Sequence, residues 1–479
     1  MTGRGGRAVV VGAGIGGLTA AIALSRVGYE VVIVERDDTP MPADVEGAFA
    51  WDRRGAPQVR HTHGFPALIR VVLRDRYPDV LQALRHAGVH EVSILPPSVS
   101  PDAPTYARDA EDLQVLSCRR TTLEWVLRRC ALAEPGVSLR VGVGVTGLLA
   151  ASPVDRPPIE VRGVRLDDGA EVEADVVVAS TGRRGDVPAW FADHGVAIAE
   201  DEHPTGTVYF SRFYRVAAGA PVMGYQGGRR AGVGFVVAGA DHGTYSATLA
   251  VDAADRELRT LLLDPDRYEA VLPLFREMEP VVTAGGTPLT DVQVMGGLIN
   301  RIRRFVGDDG APLAHGFFAI GDAHTCTNPL YGRGSSLAVL QATLVADALT
   351  DHPHDRAAAA DAYESTSRQR VEPWYDVSVL TDAAARSAAG DAPRDAAPDD
   401  APRPPRLDLA TLRRIAASGD PELSVLVART MSLLLTPQEV FSDPAVLSRL
   451  TSAAAPRPDD PSRPPRAALT REDLLAALR

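Results

Sequence analysis

Apolar positions along this chain fall into two kinds of block. The first kind is an unbroken run. Ala8–Val11 leads into Gly12-x-Gly14-x-x-Gly17, then a helical pattern from about Ile15 to Val27, then a second apolar run closing at Glu35. Strand, glycine turn, helix and strand in that order predict a βαβ unit with a parallel pair. Beyond an irregular stretch through His63, 3.6-residue spacing predicts helices around Leu68–Leu84 and over Thr121–Ala131. Val137–Leu149, Ile159–Leu166 and Glu171–Ala179 read as a short meander. The second kind of block runs from Gly206 to Val251, where apolar and polar residues alternate in TVYFSRFYRV, VGFVVAG and YSATLAV. Period two predicts half-buried strands, with Gly227–Arg230 as a hairpin turn and a helix over Arg256–Met278 behind them. The chain returns through the apolar Gly316–Ile320 to a helix over Gly334–Leu349. Ala383–Arg406 and Pro456–Pro465 are linker-like in composition, while Leu407–Leu435 and Thr470–Leu478 carry helical patterns.

Composition narrows the function classes. A net charge of -12 argues against nucleic acid as a partner, because phosphate binding draws on basic surface. All 50 basic residues are arginine. Without lysine there is no Schiff base, no amine acid or base, and no P-loop lysine. Cys118, Cys130 and Cys326 are too few for a disulfide framework and fit a reduced, cytoplasmic setting. No run reaches the roughly 18 apolar residues of a membrane span. The segment Val9–Leu24 is too rich in glycine for a secretory leader. His61-x-His63 has no further ligand set at metal spacing, so no metal is expected.

The glycines carry chemistry. Gly12, Gly14 and Gly17 suit a tight turn, close approach of backbone to a pyrophosphate, and close helix–strand packing, with Ile15 and Gly16 at the helix start. The helix N-terminus receives phosphate. Glu35, followed by Arg36, is placed to accept ribose hydroxyls, and its charge disfavours a 2′-phosphate. Far downstream, GFFAIGDAHTCTNPLYGRGSS puts Asp322 just past a buried strand, where it can accept hydrogen bonds from ribityl hydroxyls. Pro329 bends the chain over a ring. Gly332 and Gly334 admit backbone to the ring edge, with the helix behind them pointing its positive end that way. The two segments together point to FAD.

With these residues in view, the chain resembles the FAD-dependent monooxygenase superfamily of aromatic hydroxylases, squalene-type epoxidases and flavin halogenases, from about Arg7 to Leu349. Gly321, Asp322, Ala323, Pro329, Gly332 and Gly334 fall on the family block GDAAHxxxPxxGQGxN, with Arg333 for Gln and Ser336 for Asn. The family histidine position is Thr325, with His324 one place early. PQVRHTHGF, STGRRGDVPAW and NPLYGRG are similar to bacterial polyether epoxidases and related tailoring oxygenases. In CRRTTLEWVLRR, Arg120 falls where the family places an arginine on the FAD phosphates, with Arg119 as its rival. The resemblance implies an α/β fold: a Rossmann-like FAD-binding domain from segments 1–78, 115–185 and 286–350, an inserted β-sheet substrate domain from 79–114 and 186–285, and a helical C-terminal region over 351–479 with linkers at 383–406 and 452–468. It implies that reduced FAD and O₂ hydroxylate or epoxidise an apolar small molecule. A reductase of the geranylgeranyl-reductase type, or a non-catalytic flavoprotein, are the alternatives. Further expected FAD contacts are Arg54, Arg60, His63, Thr181, Gly182 and Ser335, with Tyr209, Phe210, Phe213 and Tyr331 as candidates for the substrate pocket. Two departures matter. Thr181-Gly182 stands where self-reducing hydroxylases carry Asp-Gly, which favours a separate flavin reductase over direct NAD(P)H reduction. The halogenases rely on a lysine that this chain lacks.

Overall fold

The computed structural model describes residues 6–151, 157–217, 224–275, 277–278, 285–388, 419–454 and 469–479. The opening βαβ unit forms as its pattern predicts, with strands Arg7–Val11 and Glu30–Glu35 flanking the helix Ile15–Arg26. These strands sit within a five-stranded parallel sheet, in the order Phe317–Ala319, Val176–Ala179, Arg7–Val11, Glu30–Glu35, Val137–Val141. Both faces of such a sheet are covered, so its strands read as continuous apolar runs. Ala8 and Val10 enter one core with the helices Ile15–Arg26, Arg120–Ala133 and Arg333–Asp351. Val9 and Val11 enter another, beneath the strands Val145–Ala151 and Ile159–Leu166. Val80, Leu81 and Leu84 join the first of these cores.

A six-stranded sheet forms the second layer, running Tyr225–Arg230, Val233–Ala240, Thr244–Asp252, Thr207–Arg215, Thr287–Pro288, with Gln293–Met295 also paired to Thr207–Arg215. Alternation sorts its faces. Val208, Phe210, Tyr214, Phe235 and Leu249 face a core closed by Tyr268, Leu272 and Phe275. Leu474, Leu475 and Leu478 of the C-terminal helix Arg471–Leu478 complete that core. The other face carries Tyr209, Ser211, Val236 and Thr248, and this is the face that meets the site.

Several elements depart from the sequence pattern, each for a local reason. The Leu68–Leu84 pattern is two helices, Ala67–Arg76 and Pro78–His86, because Pro78 cannot continue the first. Arg256–Met278 likewise splits into Arg256–Leu261 and Pro265–Val271, with Asp264 capping the second. Gly227–Arg230 is strand, and the hairpin turns one step later at Ala231-Gly232, whose φ values of 50° and 78° suit the twist of a two-residue hairpin. The helix Glu372–Ala388 runs into the first expected linker, and Pro444–Ala454 into the second. Residues 389–418 and 455–468, which hold the rest of those linkers and the start of the Leu407–Leu435 pattern, lie outside the described residues. Among the described residues no helix is long and apolar enough to cross a membrane.

The first helix is held unusually close to its own turn: a Cβ on Gly17 would sit 1.9 Å from the Gly12 carbonyl oxygen. Gly17→Ala is therefore expected to lower stability by about 1–3 kcal/mol, read as a drop in the urea midpoint.

Candidate functional site

One cavity of about 970 Å³ runs between the parallel sheet and the six-stranded sheet. That is the upper end of the usual size range for ligand sites, roughly 300–1,000 Å³. One end of it is built by the first turn. Gly12 takes φ 103°, and a Cβ there would meet the Ser180 carbonyl at 2.4 Å, so only glycine allows the turn. Gly14 is the N-cap of the helix Ile15–Arg26 and no side chain caps it. A Cβ added to Gly14 would find nothing within 4 Å. Ile15 and Gly16 line the cavity beside it. An open, uncapped helix N-terminus is a ready anion site.

Glu35 is buried at the end of its strand, and its two oxygens accept the backbone N–H groups of Ala13 and Asp37 at 2.8 and 2.9 Å. These bonds fix the carboxylate at the cavity wall. Behind it sits Arg53, buried and ion-paired to Glu35 at 3.5 Å, Asp37 at 3.0 Å and Glu124 at 2.5 Å. Arg53 escapes sequence reasoning because nothing in Arg53-Arg54 says which of the two turns inward. Arg54, the expected contact, is exposed at the rim and pairs with Asp38. Arg36 also lines the rim, and Arg60 pairs with Asp52 at 2.8 Å on the exposed side.

The structure places Arg119 and Arg120 in different surroundings. Arg119 is spent on buried Asp241, which accepts from its Nε at 3.0 Å, its Nη2 at 2.6 Å and its backbone N–H at 2.7 Å. Arg120 instead lines the cavity. It reaches toward Ser335 at 3.5 Å, and its buried Nε has no partner.

The far block closes the other end. Gly321 is anchored through its N–H to Gln341 at 2.8 Å, which sets Asp322 on the wall with no hydrogen-bond partner of its own among the described residues. Burial raises the Asp322 pKa, opposed by the charges of Arg120, Arg183 and Arg301. Asn328 caps the turn that begins at Pro329. Gly332 then takes φ 65° with the Gly64 carbonyl 3.0 Å from where its Cβ would lie. The helix Arg333–Asp351 follows without a side-chain cap, and Gly334 and Ser335 open onto the cavity. Arg333 itself is buried, donating to Ser378 at 2.5 Å and lying over the rings of Tyr331 and Trp374. Thr181 and Gly182 line the wall, and the Thr181 hydroxyl is buried without a partner among the described residues. His63 is stacked on Phe65, its Nδ1 is 2.9 Å from the His61 carbonyl, and burial with the Arg120 charge lowers its pKa to about 3. His324 turns away from the cavity to bond Thr325 at 2.6 Å.

The substrate-pocket candidates divide. Tyr209 lines the cavity and hydrogen-bonds Asn328. Phe210 faces the core on the opposite side of the same strand, as period two requires. Phe213 shares the face of Tyr209 but packs edge-on against Phe49, away from the cavity lining. Tyr331 is turned to Asp382, to which it donates at 2.8 Å. The residues that do line this end, beside Tyr209, include His61, Thr62, Ser211, Val236, Thr248, Met295, Leu298 and Leu330. Alternation alone marks their faces but not which face is wet.

Residues 10–86 match the model of an NAD(P)-binding Rossmann-like domain. Protein Rv3254 of Mycobacterium tuberculosis is 28% identical over 375 residues, covering 71% of this chain and 73% of its own length. PqsL of Pseudomonas aeruginosa, a probable FAD-dependent monooxygenase, superposes with a TM-score of 0.57 at 19% identity, over 80% of this chain and 96% of its own. The flavin-dependent brominase Bmp2 gives a TM-score of 0.57 at 16% identity, over 93% and 98%. The chain has the flavoprotein monooxygenase fold. PyrE3, a Diels-Alderase of pyrroindomycin biosynthesis, is similar too, with a TM-score of 0.56 at 16% identity over 89% and 80%.

The two adjacent arginines of this fold are expected to separate by experiment. Arg119→Met strands the Asp241 carboxylate and should cost about 3–5 kcal/mol in chemical unfolding. Arg120→Met should cost far less stability but weaken binding of an anionic dinucleotide, measured by titration.

Proposed function

We propose that the chain is an FAD-dependent monooxygenase, a hydroxylase or epoxidase acting on a largely apolar small molecule. The observation that carries this reading is the convergence of two uncapped helix N-termini, at Gly14 and Gly332, on one cavity that also presents an unpartnered Asp322 carboxylate. A dinucleotide with an anionic middle, a polyhydroxy chain and a ring that becomes anionic on reduction suits those three features. In this reading Gly12–Gly17 and Arg120 hold the pyrophosphate. Glu35 takes the adenosine ribose, and Asp322 the ribityl hydroxyls. Pro329, Gly332, Gly334 and Ser335 lie along the ring edge, with Thr181, Gly182 and His63 beside them. Bound FAD, once reduced, would activate O₂, one oxygen atom of which goes to the substrate while the other leaves as water. The protein's part is to bind, orient and exclude water. Tyr209, Val236, Met295, Leu298 and Leu330 provide the apolar surface for substrate. PqsL, which shares the fold, is named as a probable FAD-dependent monooxygenase, and this reading takes that chemistry over a reductase or a non-catalytic flavoprotein. We further propose that electrons come from a separate flavin reductase, because Thr181 brings no carboxylate where self-reducing relatives carry one.

Denatured protein is expected to release FAD, identified by its chromatographic mobility against FMN standards. Asp322→Ala should weaken FAD affinity by roughly ten- to a hundredfold, since a hydrogen bond to a charged group is worth about 1.5–3 kcal/mol. With an FAD reductase and ¹⁸O₂, one labelled oxygen should appear in product and oxygen uptake should depend on substrate. Uptake without label in product would mean an oxidase, product without oxygen uptake a reductase or dehydrogenase, and no turnover a binding protein. Bromide is expected to stay out of product, because the chain has no lysine and arginine offers no free amine. A brominated product in the mass spectrum would overturn the oxygen-transfer reading.

A further inference from the structure

The sheet side of the cavity carries a hydrogen-bonded chain with a fixed direction. His61 Nδ1 lies 2.9 Å from Ser211 Oγ, Ser211 Oγ lies 2.6 Å from Thr248 Oγ1, and Thr248 Oγ1 donates to Thr62 Oγ1 at 2.8 Å. Each hydroxyl has one proton to give. Thr248 gives its proton to Thr62, so toward Ser211 it accepts. Ser211 therefore donates to Thr248 and can only accept from His61. The imidazole proton must then sit on Nδ1, which leaves Nε2 as a bare acceptor. His61 is only 7% exposed, and burial lowers its pKa to about 4, so the ring is neutral near pH 7. All four residues line the cavity, and His61 Nε2 has no hydrogen-bond partner among the described residues. The same chamber is lined by the apolar side chains of Val236, Met295, Leu298 and Leu330.

We propose that His61 is a specificity-determining residue, whose Nε2 accepts a hydrogen bond from the hydroxyl of an uncharged, hydroxylated apolar substrate of phenol-like character. Ser211, Thr248 and Thr62 are positioning residues that hold the tautomer. The proposal rests on the reading of this cavity as the substrate chamber, but not on oxygen transfer. It selects among apolar molecules those with a donor at one edge, and rejects the corresponding ethers, which leave Nε2 buried and unpaired.

The test uses the full chain with FAD, labelled with ¹⁵N-histidine, and phenol and anisole as probes. The expected spectrum shows His61 Nε2 as an unprotonated ring nitrogen, assigned by its loss in His61→Phe, which removes the acceptor. Phenol shifts that signal and anisole does not. The preference for phenol over anisole, expected at about tenfold, falls to near unity in His61→Phe. Thr62→Val, which keeps the side-chain shape and removes the last acceptor, gives partial protonation of Nε2 and a weaker preference. Should His61→Phe fail to fold, the His61 signal is assigned by its change in Thr62→Val, and the wild-type spectrum with that variant still decides. A protonated Nε2 in the wild type overturns the proposal, as do equal shifts with both probes or a shift with neither. Failure of ¹⁸O incorporation alongside a selective phenol response would refute the monooxygenase reading alone. Incorporation without that response would refute this inference alone.

Discussion

Everything at the site depends on how closely two helices are allowed to approach. A Cβ on Gly16 would lie 3.2 Å from that of Ala338, and one on Gly321 would lie 3.2 Å from the same atom. The helices Ile15–Arg26 and Arg333–Asp351 come from opposite ends of the fold's nucleotide-binding part, yet small residues let them pack side by side. Their N-termini then open onto the same cavity. Each terminus leaves backbone N–H groups that no side chain among the described residues takes up. Larger residues at those contacts would separate the two positive ends and leave each a weak, isolated anion site.

The buried charges sort into those that are saturated and those left available. Asp241 takes three hydrogen bonds from Arg119 and a fourth from Thr122 at 2.7 Å. Arg53 is ringed by Glu35, Asp37 and Glu124. Such pairs are costly to break because the surviving partner stays buried, so they behave as framework. Asp322 is the contrast. It sits within the field of Arg120, Arg183 and Arg301, which favours its charge, while burial works against it. No group among the described residues resolves that tension by a hydrogen bond. A ligand hydroxyl would.

Much of this was legible in the sequence, and the legible part is the part made by local rules. Gly12-x-Gly14-x-x-Gly17 between two apolar runs dictates its own turn, strand and helix. The parallel strands announce themselves because both faces are buried. What could not be read was the choice between near-equals. Arg119 and Arg120, or Arg53 and Arg54, differ only in which way the chain happens to face when Asp241 or Glu124 arrives from over 70 residues away in sequence. Phe210 and Tyr209 are equally aromatic, and only the packing of the sheet decides that one is core and the other wall. The broken helices at Pro78 and Pro265 were, by contrast, open to simple backbone sterics.

The division of labour between the layers bears on chemistry. Neighbours with this fold carry names as different as monooxygenase, brominase and Diels-Alderase. A fold shared across such reactions cannot itself specify one. In the proposed reading the first layer offers two helix ends and a carboxylate, a set that would serve any flavin. Distinction must come from the surface laid against it: the His61–Gly64 loop and the wet face of the six-stranded sheet. There the chain departs from a plain apolar wall. Ser211 and Thr248 place paired hydroxyls on a strand face beside Tyr209, Phe213, Val236 and Ala250, and both are buried. Buried hydroxyls cost stability unless bonded, and these are bonded to each other, to Thr62 and to His61. The arrangement gives the protons of His61, Ser211 and Thr248 an acceptor each and leaves the imidazole Nε2 without a donor among the described residues. A wall that meant only to be greasy has no use for that surplus.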